Sequence, residues 1–157
     1  MSDSFPTWRT LSHIGTSTAN HTGSTAETAL RTIAIPAGYI GANGILRIWS
    51  LWDVANSGNN KTLRIRLGGL AGTAFMTTVL TTADIHADLR MIFNRANAAL
   101  QIGPPLTLAG GLGSLDSTIA TGSVNTAVAV DLVFSAELAN SGDTARLNAY
   151  SVEVLRR

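Results

Sequence analysis

With 157 residues, 45% of them hydrophobic and only 13% charged, the chain can bury one sandwich-sized core but falls well short of the roughly 25% charge that coats an ordinary soluble domain. A formal net charge of +1 argues against general attraction to nucleic acid or acidic lipid, and the absence of cysteine excludes disulfides and thiolate metal sites. No stretch approaches the roughly eighteen apolar residues needed to cross a bilayer, and the start, MSDSFPTWRTL, lacks the basic and apolar regions of an export signal. A surface this poor in ions implies cover by other protein, in an oligomer or a larger assembly.

In chain order, residues 1–12 bring Phe5, Pro6, Trp8, Arg9 and Leu11 together, with Pro6 favouring extended chain. Two readings stand: a docking arm carried by Phe5, Pro6, Trp8 and Arg9, or a first strand covering the domain's own edge. Residues 15–24, GTSTANHTGS, read as loop, so 1–24 is expected to be arm and loop and 25–157 the folded domain. Residues 27–35 read as a strand with Leu30, Ile33 and Ile35 apolar, stopped by Pro36. The glycine-rich PAGYIGANG at 36–44 then forces a reversal.

Residues 44–67 are the organising stretch. Leu46, Ile48, Trp52 and Val54 alternate on one side, and Leu63, Ile65 and Leu67 alternate with Thr62, Arg64 and Arg66. The polar turn at 56–60 between them predicts a β-hairpin. The first of these strands is apolar on its other side too, with Ile45, Trp49 and Leu51 mixed with Arg47 and Asp53. Such a strand is covered on both faces, by its own chain or by a second subunit. Ile45, Arg47, Trp49 and Leu51 are therefore the candidate subunit interface.

Residues 74–82 read as a threonine-rich strand. Residues 84–100 have helix propensity, but Ala87, Leu89, Met91 and Phe93 alternate with His86, Asp88, Arg90, Ile92 and Asn94, which favours strand. Glycines at 110, 111 and 113 mark a loop. Residues 125–138 and 145–155 alternate as strands, joined by a turn whose Ala-Asn-Ser-Gly tetrad repeats that at 55–58. About eight strands with polar, glycine-bearing connections describe an all-β antiparallel β-sandwich, expected to be a jelly roll.

No catalytic constellation emerges. His86 and Asp88 share a strand face but lack a visible third metal ligand, and read as a surface pair. The glycine-rich run at 110–114 has no phosphate-binding lysine, no serine sits in a Gly-x-Ser-x-Gly elbow, and the ten acidic residues are scattered. Trp8, Trp49, Trp52, Tyr39 and Tyr150 are candidates for stacking on sugar rings; tryptophans in strands are more ordinarily core or interface residues. No cofactor is expected and the chain is not expected to be an enzyme.

Ile35-Pro36-Ala37-Gly38, Gly41-Ala42-Asn43-Gly44, Leu46-Arg47-Ile48 and the run from Asn59 to Arg66 together resemble a recurrent module of tailed-bacteriophage structural proteins. Asn94-Arg95, Leu138-Ala139-Asn140, Leu147 and Val152-Glu153-Val154 are similar to its second half, so the likeness spans residues 27–155. The resemblance implies a jelly roll, a homotrimer and a virion component made in the bacterial host cytoplasm. It implies a capsid decoration (cement) protein bound to the major capsid protein, with a receptor- or glycan-binding fibre head as the alternative. A glycan partner belongs to that alternative only; neither nucleic acid nor membrane is expected as a partner.

Overall fold

The computed structural model describes residues 6–15, 19–55, 57–95, 98–107 and 118–156, and all regular structure among them is β-strand. Phe5 and the glycines at 110, 111 and 113 lie outside the described residues. No helix among the described residues is long and apolar enough to cross a membrane.

The strands are β1 (Trp8–Ile14), β2 (Ala19–His21), β3 (Thr28–Ile35), β4 (Ile45–Val54), β5 (Lys61–Leu67), β6 (Thr73–Leu80), β7 (Asp84–Asn94), β8 (Gln101–Gly103), β9 (Ala120–Gly122), β10 (Val130–Leu138) and β11 (Ala145–Leu155). The larger sheet runs β1-β11-β4-β7-β8-β9, with β2 also on β11; the smaller runs β3-β10-β5-β6. Every pairing is antiparallel. Leaving aside the three-residue strands β2, β8 and β9, the order is β1-β11-β4-β7 over β3-β10-β5-β6. Successive long strands alternate between sheets in the jelly-roll manner, except β5 and β6, which pair as a hairpin in the smaller sheet.

That topology overturns the expected hairpin. β4 has β11 and β7 on its two flanks, and β5 has β10 and β6 on its own, so β4 and β5 lie in opposite sheets. The segment between them carries the chain across the sandwich, and short spacing with turn-forming residues serves that crossing as well as it serves a hairpin. Lys61 anchors the far side: it is fully buried, and its Nζ donates to the Ser57 Oγ (2.6 Å) and to the carbonyls of Ser57 (3.4 Å), Asn59 (3.0 Å) and Thr81 (3.1 Å).

Two boundaries also move. Residues 19–21, read as loop, form β2 against Ala145–Leu147, and residues 125–129 precede β10 as turn, leaving Val128 exposed. Within the segment 1–24, β1 pairs along the last half of β11, with a bulge at Leu11.

The core lies between the sheets and follows the alternation. Leu46, Ile48, Trp52 and Val54 face Leu63, Ile65, Leu67, Leu132, Phe134 and Ala136 across it. Phe134 sits between Trp52 and Tyr150, at ring-centroid distances of 6.1 and 5.1 Å. Ser50 breaks the apolar run usefully, because its Oγ accepts the Trp52 indole N–H at 2.8 Å. At the mouth of β4, a Cβ on Gly44 would sit 1.9 Å from the Ile40 carbonyl oxygen, so the turn into the strand admits no side chain.

Candidate functional site

β7 reverses the usual polarity of a sandwich strand. Asp88, Arg90, Ile92 and Asn94 point inward and are buried, while Ile85, Ala87, Leu89, Met91 and Phe93 point outward. The inward polar groups are tolerated because the chain supplies partners for them. Arg90 donates to Asp88 Oδ2 through Nε and Nη2, at 2.9 Å each, and through Nη1 to the Pro105 carbonyl. Asn94 Nδ2 donates to the Gly41 carbonyl (2.9 Å) and Thr126 Oγ1 (2.8 Å), and its Oδ1 accepts from Gln101 Nε2 (2.9 Å). His86 and Asp88 are thus not a surface pair: Asp88 is enclosed and claimed by Arg90, with His86 Nε2 at 3.6 Å. Among the described residues no group of three or more His, Asp or Glu is placed to hold a metal ion.

The register then defines what the larger sheet presents outward. At one end Trp8, Leu155, Ile45, Phe93 and Ile102 stand side by side on β1, β11, β4, β7 and β8. The next row is Thr10, Glu153, Arg47 and Met91, followed by His13, Ser151, Trp49 and Leu89, then Ala149, Leu51 and Ala87. The far row is Arg146, Asp53 and Ile85. Trp49 is 39% exposed, Phe93 36% and Ile85 73%, which makes this a contiguous apolar face and not a scatter of single residues.

Of the candidate residues named from the sequence, Trp8, Ile45, Arg47, Trp49 and Leu51 lie on this face, whereas Arg9, paired with the buried Val154 of β11, falls on the other side of β1. Ile45, Arg47, Trp49 and Leu51 form the middle of the face. Trp8 belongs to the same surface: the Arg47 guanidinium lies 4.1 Å from its ring centroid, and Arg47 Nη2 pairs with Glu153 Oε2 at 2.7 Å. Arg9 pairs with Val154 on β1, and Pro6 is exposed ahead of it. Sequence reasoning missed the contribution of β7, Leu155 and Ile102. The alternation of Ala87 to Phe93 was readable as a stripe, but a stripe of that kind is normally assigned to the core.

The opposite face has another character. On the smaller sheet Glu27 accepts from Arg66 at 2.8 and 2.9 Å and lies 3.1 Å from Arg64, which also pairs with Glu137 at 2.6 Å. Burial alone would raise the Glu27 carboxyl. Hydrogen bonds from Arg66 and Ser135, with the charges of Arg64 and Arg66, hold it below the ordinary glutamate range instead. These four charges are neutralised within the chain.

Of the aromatics considered for sugar stacking, Trp52 and Tyr150 are core residues, and one face of Trp8 is occupied by Arg47. Tyr39 is half-buried with the Arg156 guanidinium 5.2 Å from its ring centroid. Trp49 remains open.

No family model and no curated protein matches the chain. Among solved structures, that of the infectious bursal disease virus Gx strain is similar at 14% identity and a TM-score of 0.29, covering 96% of this chain and 40% of that one. The VP2 subviral particle of infectious bursal disease virus is similar at 13% identity and a TM-score of 0.27, again covering 96% and 40%. This chain therefore spans well under half the length of those viral chains.

Proposed function

We propose that this chain is a non-enzymatic structural protein of a virus particle, a decoration (cement) protein that forms homotrimers and binds the major capsid protein on the outer surface of the shell. It would be made in the host bacterial cytoplasm and act in the virion. The observation that carries the reading is the outward apolar face of the larger sheet, centred on Ile45, Arg47, Trp49 and Leu51. Exposed apolar surface of this extent marks a site of protein association. The likeness of segments between residues 27 and 155 to phage structural modules narrows that association to a virion. The arm reading fits beside it, with Pro6, Trp8 and Arg9, and Phe5 ahead of them, as the capsid-directed end.

The reading is tested by mixing the purified protein with undecorated shells of the major capsid protein encoded beside it. Co-sedimentation at a fixed ratio, with a rise in the temperature at which shells break, is the expected result. Shells that neither retain the protein nor gain stability would refute it, and saturable binding to a glycan array would promote the fibre-head alternative.

A further inference from the structure

We infer that the Trp8 end of the sandwich is an electropositive docking pole, where Arg9, Arg95 and Arg156 receive the carboxylates of an acidic protein surface on the shell. This rests on the reading of the chain as a shell-bound protein. It adds the chemistry of that contact, and two arginines far along the chain from the N-terminal arm.

The arginines divide by whether the chain supplies them with a carboxylate. Arg47, Arg64, Arg66, Arg90 and Arg146 each close an ion pair. Arg9, Arg95 and Arg156 are exposed and close none among the described residues. Arg31 closes none either, but it is half-buried against Tyr150, with its guanidinium 5.9 Å from the ring centroid.

The register gathers the three open arginines at one end. Arg9 is paired with Val154 across β1 and β11, so Arg156, two residues past Val154, is its diagonal neighbour on the same side, about 7–8 Å away. Leu155 pairs with Ile45, and the Asn94 N–H donates to the Gly44 carbonyl at 2.9 Å. Arg156 and Arg95 therefore flank the entry to β4, two strand spacings or about 10 Å apart. Both are held in place without a counter-charge. The Arg95 N–H donates to the Leu100 carbonyl at 2.9 Å and its carbonyl accepts from the Asn43 N–H at 3.1 Å. The Arg156 guanidinium lies 5.2 Å from the Tyr39 ring centroid, a contact that orients it and leaves N–H groups open to an acceptor. The acids described near this end are Glu153, already closed on Arg47, and Asp131, on the smaller sheet. Asp84 stands at the far end, paired with Val54 and near the Asp53–Arg146 ion pair. A chain of net charge +1 thus concentrates its open cations at one pole.

Like charges gathered in this way are relieved by an anionic partner, and the planar fork of arginine matches a carboxylate through two parallel hydrogen bonds. Two features make that partner a protein and not a nucleic acid. The pole borders the apolar row of Trp8, Leu155, Ile45, Phe93 and Ile102, which a phosphate backbone would leave uncovered and a protein surface would bury. Three cations are also few against the roughly six to ten phosphate contacts that anchor a duplex-binding protein.

The double variant Arg95→Gln and Arg156→Gln removes two exposed charges and no buried contact, and light scattering should find its oligomeric state unchanged. In co-sedimentation with undecorated shells the parent should lose about tenfold in affinity between about 0.1 M and about 1 M salt. The double variant should bind about tenfold more weakly than the parent at about 0.1 M salt, with a shallower salt dependence. Arg9→Gln repeats the comparison on a third strand. Retention of the double variant with the parent's affinity and salt dependence overturns the pole. A dye-labelled oligoglutamate peptide and a short DNA duplex, followed by fluorescence anisotropy, separate this inference from the shell reading. A parent that ignores shells but binds the peptide, with loss of binding in the double variant, keeps the pole and removes the shell. A parent that binds neither shells nor peptide overturns both, and tighter binding to the duplex than to the peptide overturns the choice of an acidic protein.

Discussion

Trp49 and Lys61 show how little a residue's type says about its role. Both belong to classes usually assigned by habit, the tryptophan to the core and the lysine to the surface, and both assignments fail here. Trp49 stands on the outer side of β4 because its neighbours Ile48 and Ser50 take the inward positions. At the centre of a protein-covered face such a ring is the usual anchor, and its truncation costs about 2 kcal/mol or more. Trp49→Asp should therefore shift the oligomer to monomer or aggregate while the far-ultraviolet circular dichroism stays that of a β-sandwich; light scattering that still finds the intact oligomer would count against the interface. Lys61 is the only lysine and is fully enclosed, with its ammonium held by oxygens of the crossing from β4 to β5 and by the Thr81 carbonyl between β6 and β7. Lys61→Met fills the space of the stem but strands those acceptors, at about 2 kcal/mol. A lowered urea midpoint with an unchanged slope is the expected signature.

At the scale of elements, period two was enough to find nearly every long strand. It tells neither which sheet a strand joins nor which of its sides turns inward. β4 and β5 read as a hairpin because sequence proximity is the only proximity a sequence displays; β5 makes its hairpin with β6 instead, β4 takes β7 on one side, and their other neighbours, β11 and β10, lie more than 60 residues further on. β7 hid its polarity for a related reason. Its inward Asp88, Arg90 and Asn94 are paid for by partners at Pro105, Gln101, Gly41 and Thr126, none recognisable as such before the chain is folded. The Asp88 carboxyl shows the balance. Burial works to raise its pKa, but the hydrogen bonds and the charge of Arg90 outweigh burial and hold it below the ordinary aspartate range. A depressed folded value contributes stability that is complete above about pH 4 and is lost as pH falls through that folded value. Asp88→Asn should thus cost about 3 kcal/mol at neutral pH, by leaving the buried Arg90 without its counter-charge. It should also flatten the decline of stability below about pH 4, and urea titrations across that range read both effects. An acid decline as steep as in the parent would assign the lability to Glu27 and the other carboxylates.

For the whole molecule, the decisive contrast is between its two outer faces, which share one fold and little chemistry. The smaller sheet neutralises itself with Glu27, Arg64, Arg66 and Glu137, whereas the larger presents Trp8, Ile45, Trp49, Leu51, Leu89, Met91 and Phe93 with two ion pairs already closed. The low charge content anticipated a covered surface, but only the register between β4 and β7 could say which one. Association through such a face draws on apolar burial, with little long-range attraction between copies, and that distinction is measurable. Raising salt from about 0.1 M to about 1 M shortens the screening length from about 10 Å to about 3 Å. An interface built on open charges would weaken across that range. This one should hold its dissociation constant within about threefold, because Arg47 and Asp53 already have partners within their own chain and only His13, at the β1 edge, adds a titratable group to the rest of the face. Replacing chloride by sulfate should tighten it, since sulfate strengthens apolar burial. Sedimentation equilibrium in the two salts provides the test. A tenfold loss of affinity in high chloride would place the contact on the charged face of the smaller sheet and remove the larger sheet from the assembly.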